Sequence, residues 1–306
     1  MQARSHTATG AAIRFGMMLL ALLVSQACAS RGANVGGWRE ASSAKLRELG
    51  VPARGAPVVG LNATLEARDE ILSAALRELA VIPGPVQHRR VAERYLQLKI
   101  LDAAHDHFTR ARELDPTDAA AYDGLARVWR DSGFPDRGLV DAYRSVYYAR
   151  ASATAHNTLG TILAALGRET DARKAYERAL QLDPGAAYVL NNLCYLSFLE
   201  GQIAQAIAEC RAAVAVDPAL VPARNNLGLA YAAAQRDDLA SLEFQAAGDA
   251  AAASYNIGIV HLAGGRYALA AEAFDAASRE RPSWAAAHER AGQTRVLAAT
   301  EAGHSR

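Results

Sequence analysis

The sequence has few cysteines, few aromatic residues and almost no net charge. Its 306 residues include 3 Cys, aromatic residues make up 7% of the chain, and the formal net charge is +1. A chain that binds nucleic acid usually carries a clear basic excess, so this balance gives no reason to expect a nucleic-acid partner. We therefore expect proteins or peptides as partners.

Signatures of catalysis are also missing. The sequence shows no Gly-rich phosphate loop, serine-nucleophile motif or Cys/His ligand set. His105 and His107 are two residues apart, which places them on different faces of a helix, so we expect no metal pair and expect both side chains to lie in solvent. We predict a protein that is not an enzyme, with no catalytic residue, metal or cofactor. The alternative, an enzyme in the part before Pro85, lacks a nucleophile, a metal set and a cofactor loop.

What the sequence does contain is a helical repeat. It is rich in Ala, Leu and Arg, which favours an all-α fold. Pro184 recurs one period of 34 residues later as Pro218 and two periods earlier as Pro116. Two antiparallel helices approach closely only where side chains are small, and we expect Gly160 to pack against Ala172. The stretch 157–184 carries the full pattern in Leu159, Gly160, Gly167, Ala172, Tyr176, Ala179 and Pro184.

These residues and this period resemble the tetratricopeptide repeat (TPR). The resemblance covers 85–297 and implies an all-α, right-handed superhelical solenoid of helix-turn-helix repeats. Six repeats are expected over 85–282, preceded by a capping helix or degenerate half-repeat over 64–84. A C-terminal capping helix over 283–297 and a disordered tail over 298–306 are expected to follow.

Two repeats depart from the family pattern. In the second, about 119–152, Gly138, Ser145 and Arg150 stand where Ala, Ala and Pro are usual. In the fifth, Gly228 is followed by the next equivalent glycine, Gly258, four residues early. The stretch 248–253 is therefore expected to omit one helical turn.

The first 29 residues are predicted to be an export signal. Arg4 and Arg14 precede an apolar run at 17–24, and small residues follow it. The run is shorter than the about 20 residues that a helix needs to cross a bilayer. Residues 30–63 are expected to form a flexible tether with a short helix at 38–49.

Cys28 follows Ser25, Gln26 and Ala27, and this resembles the lipobox of bacterial lipoproteins, although an aliphatic residue is usual where Ser25 stands. The resemblance implies cleavage before Cys28, lipidation of its thiol, and an outer-membrane lipoprotein of the bacterial envelope that faces the periplasm. The alternative is cleavage after Ala27 or Ala29, which would give a soluble exported protein.

Three asparagines predict a peptide-binding site. Asn192, Asn226 and Asn256 occupy the same place in three consecutive repeats. A carboxamide can pair with both the C=O and the N–H of an extended peptide, and the three resemble the asparagine ladders of peptide-binding TPR proteins. The alternative is that they bond only to the backbone of adjacent repeats. The concave groove around them is expected to be lined by Asn191, Asn225, Tyr188, Tyr195, Phe198, Leu229, Ala232, Tyr255 and Ile259.

Two further features have alternative interpretations. The earlier groove is charged and is either a second, electrostatic surface or a set of solvated side chains; its residues are Arg89, Arg90, Glu93, Asp123, Arg127 and Arg130. Cys194 and Cys210 face each other across a helix pair, where a disulfide is geometrically conceivable. We expect two packed thiols instead, because cysteine is among the most buried residues.

The function expected from these features is that of a non-enzymatic adaptor or assembly factor. A lipobox-like Cys28 and about six repeats resemble the TPR lipoproteins of Tad/Flp pilus assembly and the pilotins of type IV pili. That resemblance implies secretin or pilus components as partners, reached from the periplasmic side. The alternatives are a general adaptor that brings an envelope protease or peptidoglycan enzyme to its client, and a purely structural spacer.

Overall fold

The computed structural model describes residues 69–304, and this part of the chain consists of α-helices without a strand. The prediction of an all-α fold is confirmed. The helices are α1 Glu70–Val81, α2 Pro85–Gln97, α3 Leu101–Leu114, α4 Ala119–Asp131, α5 Pro135–Tyr148, α6 Ala153–Ala165, α7 Glu169–Leu182, α8 Ala187–Leu199, α9 Ile203–Val216, α10 Val221–Ala233, α11 Asp237–Ala247, α12 Ala250–Ala263, α13 Tyr267–Glu280 and α14 Ala285–His304.

The chain divides after Pro184 into two compact units. The described part of the first unit contains α1–α7 and that of the second contains α8–α14. In each unit consecutive helices pair, and each repeat consists of a first helix and a second helix joined by a tight turn. The predictions for the export signal, Cys28 and the tether fall outside the described residues. None of the helices between residues 69 and 304 combines the length and the hydropathy of a membrane-spanning segment.

A left-handed residue ends every first helix. Its φ angle lies between 59° and 83°, a region that suits glycine because other residues place Cβ against the backbone there. This residue closes the turn into the second helix and recurs at the repeat period. Four glycines and two other residues hold the position: Lys99, Gly133, Gly167, Gly201, Gln235 and Gly265.

Within a repeat the closest approach of the two helices joins a glycine to an aromatic ring. A Cβ at Gly160 would lie 2.5 Å from the ring of Tyr176, so the predicted contact of Gly160 with Ala172 is wrong. The ring needs the space that a missing side chain leaves, whereas Ala172 is fully buried beside it. The same relation joins Gly228 to Phe244, and Gly258 to Phe274.

Aromatic and aliphatic side chains from both helices of each repeat form the cores. In the first unit, Phe108 and Leu72 are completely buried; in the second, Phe244 and Phe274 occupy the equivalent centre. Burying one such side chain contributes roughly 1.5–3 kcal/mol relative to leaving it exposed. The stability of each unit therefore accumulates from the stacking of neighbouring pairs.

Two differences from the regular pattern lie near the C-terminus. Helix α11 has 11 residues instead of the 14 of the other second helices, which accounts for the four missing residues between Gly228 and Gly258. The expected disordered tail from residue 298 is wrong as far as His304, because α14 continues through that residue. The extension runs through Ala298 and Ala299, and alanine is the best helix former.

A candidate peptide-binding face in the second unit

The first helices of the last three repeats lie side by side. Helix α8 contacts α10, and α10 contacts α12, so equivalent positions on the three helices follow one another across one face. We call this the first-helix face. Asn192 on α8, Asn226 on α10 and Asn256 on α12 are all half-buried on these helices. Their carboxamides recur on neighbouring helices, as a ladder of peptide-binding groups requires.

One asparagine of this set bonds to a neighbouring repeat. Nδ2 of Asn226 donates a hydrogen bond to Oδ1 of Asn191, over 2.9 Å. This bond ties α10 to α8 through two side chains, whereas the alternative derived from the sequence had bonds to neighbouring backbone. It uses one of the two N–H donors of Asn226, and the second donor of that carboxamide is still available to a ligand.

The first-helix face carries almost no formal charge. Helix α8 has no charged residue, α10 has only Arg224, and α12 has only His261. Arg224 is paired with Glu243 of α11 at 2.9 Å, and its Nε donates to the carbonyl of Pro218. The face therefore offers amides and aromatic side chains instead of a charged clamp.

The aromatic residues predicted for the groove separate into three groups. Tyr188 is 38% exposed and Tyr195 is half-buried, so both can contribute to a surface. Tyr255 stacks on Trp284 with ring centroids 4.5 Å apart and meets Phe274 edge-on at 5.2 Å. These contacts fix the Tyr255 ring against the last helix pair. Asn191 and Asn225 are half-buried beside the ladder asparagines.

Several residues predicted to line the groove belong to the core instead. Phe198 is only 2% exposed and packs in the main cluster of the second unit, so its prediction as a groove residue is wrong. Leu229, Ala232 and Ile259 are buried in the same cluster. These positions follow the ladder asparagines by three to six residues, and a helix turns such side chains from the face towards the second helix.

The thiols of the fourth repeat are joined behind the first-helix face. Cys194 and Cys210 form a disulfide with 5.2 Å between their Cα atoms, so the structure has the disulfide and not the two packed thiols that we expected. Both residues are fully buried. Nearby, the hydroxyl of Ser197 donates to Glu209 over 2.6 Å, a second link between α8 and α9. The sequence signal for the bond was present in the equivalent places of the two cysteines.

A buried histidine at the end of α12 is a feature that the sequence did not reveal. His261 lies with Nε2 3.3 Å from a carboxylate oxygen of Asp237, and its Nδ1 accepts a hydrogen bond from Arg266. Burial lowers the pKa of the imidazole, and the carboxylate of Asp237 opposes that effect. Arg266 also reaches the carbonyl of Ala232, so this group ties the turn after α12 to α10 and α11.

The charged residues of the first unit pair with one another. Arg127 contacts Asp123 at 2.8 Å and also Glu93 of the preceding first helix. Burial raises the pKa of the Asp123 carboxyl, and the guanidinium of Arg127 opposes that rise. Arg89 pairs with Asp118, Arg90 with Glu78, and Arg130 with Asp131. The alternative of independently solvated side chains is therefore wrong, because most of these cations already have an anionic partner.

The expectation that His105 and His107 lie in solvent is also wrong. His107 is half-buried, with its Nδ1 3.0 Å from Nδ1 of His88 on α2. Burial and the neighbouring His88 lower the pKa of His107 to about 4. His105 meets Trp129 edge-on at 5.1 Å. The second helix of the first repeat turns both rings towards adjacent helices, and the sequence alone does not reveal these neighbours.

Family models described as the tetratricopeptide repeat match residues 153–186 and 244–285. None of the curated protein sequences compared with the chain matches it. The solved structures with the same fold include the APC/C hetero-tetramer Cut9–Hcn1, with a TM-score of 0.63, 18% identity and coverage of 77% of this chain. The chain spans 48% of that protein's length.

Two shorter proteins match over most of their own length. PilW, described as a widely conserved type IV pilus biogenesis factor, has a TM-score of 0.57 and 19% identity, with 67% of this chain and 97% of PilW covered. YrrB, described as a TPR protein with an unusual peptide-binding site, has a TM-score of 0.45 and 23% identity, with 61% of this chain and 98% of YrrB covered. At these identities the similarity shows the fold.

Proposed function

This chain is an all-α tetratricopeptide-repeat scaffold for protein interactions, and we propose that its first-helix face binds an extended peptide segment of another protein. The observation that carries the proposal is the recurrence of a half-buried asparagine at one position of α8, α10 and α12. Carboxamides in such a row grip peptide backbone and leave the choice of sequence to the side chains around them.

The chemistry around the asparagines favours an uncharged ligand segment with apolar or aromatic residues. Tyr188 and Tyr195 flank Asn191 and Asn192, and the single cation of α10, Arg224, is already paired with Glu243. Aromatic side chains supply large contact areas at interfaces, whereas a peptide carboxylate needs an available cation. The face therefore suits the interior of a peptide better than its C-terminus.

The test compares two matched triple variants in a crosslinking pull-down from envelope membranes. Asn192→Ala/Asn226→Ala/Asn256→Ala removes the ladder, whereas Gln202→Ala/Gln245→Ala/Gln293→Ala removes three exposed carboxamides of the same unit. We expect the first variant to lose at least tenfold of the partner captured by the unmodified chain and the second to keep it. Circular dichroism checks that both variants are helical. Equal capture by all three proteins would make the ladder a structural feature and reject the proposal.

We further propose that the protein is exported, is lipidated at Cys28, and assists the assembly of a pilus or secretion apparatus at the outer membrane. The support is the sequence pattern before Cys28 together with a fold shared with PilW, a type IV pilus biogenesis factor. Secretin or pilus components would then be the partners. A general envelope adaptor for a protease or peptidoglycan enzyme is the alternative.

Metabolic labelling tests the location separately from the groove. Cells that express the chain are grown with radioactive palmitate, and the Cys28→Ser variant is the control. Label on the unmodified chain that is lost in the variant supports lipidation, and fractionation then locates the protein. An unlabelled, exported chain would reject the anchor and leave the binding face to be judged by the pull-down alone.

A further inference from the structure

The outer face of α5 exposes an unusual set of large side chains. Val140, Tyr143, Tyr147 and Tyr148 are between 42% and 63% exposed, and they fall on one stripe over two and a half turns of the helix. We call them the α5 tyrosine face. The rings of Tyr147 and Tyr148 meet edge-on at 5.1 Å, and Tyr148 stacks on Tyr122 of α4, so the stripe is held in place from behind.

The other second helices of the first unit do not share this character. The exposed positions of α3 and α7 are almost all charged or polar: Asp106, Arg110, Glu113 and Leu114 on α3, and Glu169, Thr170, Lys174, Glu177, Arg178 and Gln181 on α7. Helix α5 belongs to the repeat whose sequence departs from the family pattern. Repeat packing does not require exposed tyrosines, so their presence here asks for another explanation.

Cations surround the α5 tyrosine face. Arg137, Arg144 and Arg150 are exposed along the same helix and just after it, whereas Asp136 is the one exposed carboxylate of α5. The guanidinium of Arg150 lies 5.4 Å from the Tyr147 ring centroid and that of Arg144 lies 5.6 Å from the Tyr122 ring centroid. Tyrosine and arginine are the residue types that contribute most to binding energy at protein interfaces.

We propose that the α5 tyrosine face is a second docking surface, which binds an acidic segment of a partner protein that carries apolar or aromatic side chains. The tyrosines bury the apolar groups of the segment, and the three arginines pair with its carboxylates. This surface lies in the first unit and is independent of the first-helix face, so its failure would leave the proposed peptide binding untouched.

Charge decides between this occupant and two others. Residues 1–68 of the chain carry eight Arg and Lys against three Glu, so this segment would be repelled by the arginines of α5. A second copy placed face to face would oppose arginine to arginine. A membrane surface is a third occupant, but recognition of anionic lipids typically uses clusters of four to eight cations, more than the three present here.

The test uses the full chain and a defined probe, a fluorescein-labelled random copolymer of glutamate and tyrosine, with binding followed by fluorescence anisotropy. A lysine–tyrosine copolymer reports attraction to aromatic groups alone. Tyr147→Ser/Arg150→Glu alters the surface, and each single substitution is measured as well. Leu242→Ser on α11 is the matched control, because Leu242 and Tyr147 are both 63% exposed on second helices.

We expect the glutamate–tyrosine copolymer to bind the unmodified chain and Leu242→Ser equally, and the double variant at least tenfold more weakly. Absence of binding, equal binding of the lysine–tyrosine copolymer, or an unchanged double variant would each overturn the proposal. Stronger binding to vesicles with 30% phosphatidylglycerol, lost in the double variant, would assign the face to a membrane instead. Dimerisation in sedimentation that is lost in the same variant would assign it to a second copy.

Discussion

Cys194 and Cys210 form their disulfide at the two positions where the neighbouring repeats place a glycine and an aromatic ring. The cysteines are separated by 16 residues, as are Gly228 and Phe244 in the next repeat. The fourth repeat has no ring at this position, so a covalent bond joins α8 to α9 where packing joins the helices elsewhere. Asn192, two residues before Cys194, lies on the helix that this bond holds.

The disulfide is expected to stabilise the fourth repeat. Cys194→Ser/Cys210→Ser should lower the stability of the second unit by about 3 kcal/mol, the value typical of a loop of this length. Cys194→Gly/Cys210→Phe restores the contact of the neighbouring repeats and should recover most of that loss. Thermal unfolding and amide hydrogen exchange in α8 and α9 measure the effect. If treatment of the unmodified chain with a reducing agent changes neither, the bond contributes nothing to the stability of this repeat.

The same substitution of glycine should have opposite effects at two helical positions. A Cβ at Gly228 would lie 2.6 Å from the Phe244 ring, and overpacking of this kind costs about 1–3 kcal/mol. At Gly292 in α14 nothing lies within 4 Å of the new Cβ, so alanine should stabilise the helix by up to about 1 kcal/mol. Urea unfolding of Gly228→Ala and Gly292→Ala checks both signs. A gain in stability for Gly228→Ala would show that the ring moves away without cost.

The left-handed turn residues predict a stabilising change. Gln235 has a φ of 59°, where a residue with a side chain is strained by about 1 kcal/mol or more relative to glycine. Gln235→Gly should therefore raise the melting temperature, although the greater freedom of glycine in the unfolded chain offsets part of the gain. Gly201→Ala, with a φ of 77° at the equivalent turn, should lower it. Equal melting temperatures in the two variants would contradict this account of the turns.

His107 should make the first unit sensitive to acid. Its folded pKa of about 4 is below the ordinary 6.5 because burial and His88 disfavour the charged imidazolium. Between pH 6.5 and 4 the unfolded chain therefore binds more protons, and stability falls as the pH falls, by at most about 3 kcal/mol. The contribution is fully present above pH 6.5. His88 also has a pKa lowered by burial and acts in the same direction.

Melting temperatures at pH 7.5 and 4.5 test this histidine. His107→Gln should lose less stability over the interval than the unmodified chain, because its side chain does not titrate. His288→Gln, at an exposed histidine of α14, is the control for the loss of a titrating ring from the surface. The assignment fails if His107→Gln and His288→Gln lose the same stability as the unmodified chain.

The sequence by itself determined the fold class and the repeat. Small residues, turn glycines and prolines recur at 34 residues, and each acts locally: a glycine accepts a left-handed turn, and a proline ends a helix. The ladder asparagines could be located for the same reason, because equal positions in successive repeats fall on neighbouring helices. A missing turn before Gly258 was visible as a shorter interval between glycines.

Only the tertiary structure decided which side chains meet across helices. Phe198 and His107 were misassigned because a helical position leaves a side chain either at the surface or against a neighbour, and the orientation of the neighbour decides which. Asn226 finds Asn191 across 35 residues of chain. The thiols of Cys194 and Cys210 and the exposed tyrosines of α5 follow the same rule, since burial depends on how adjacent helix pairs stack and the residue types alone leave that open.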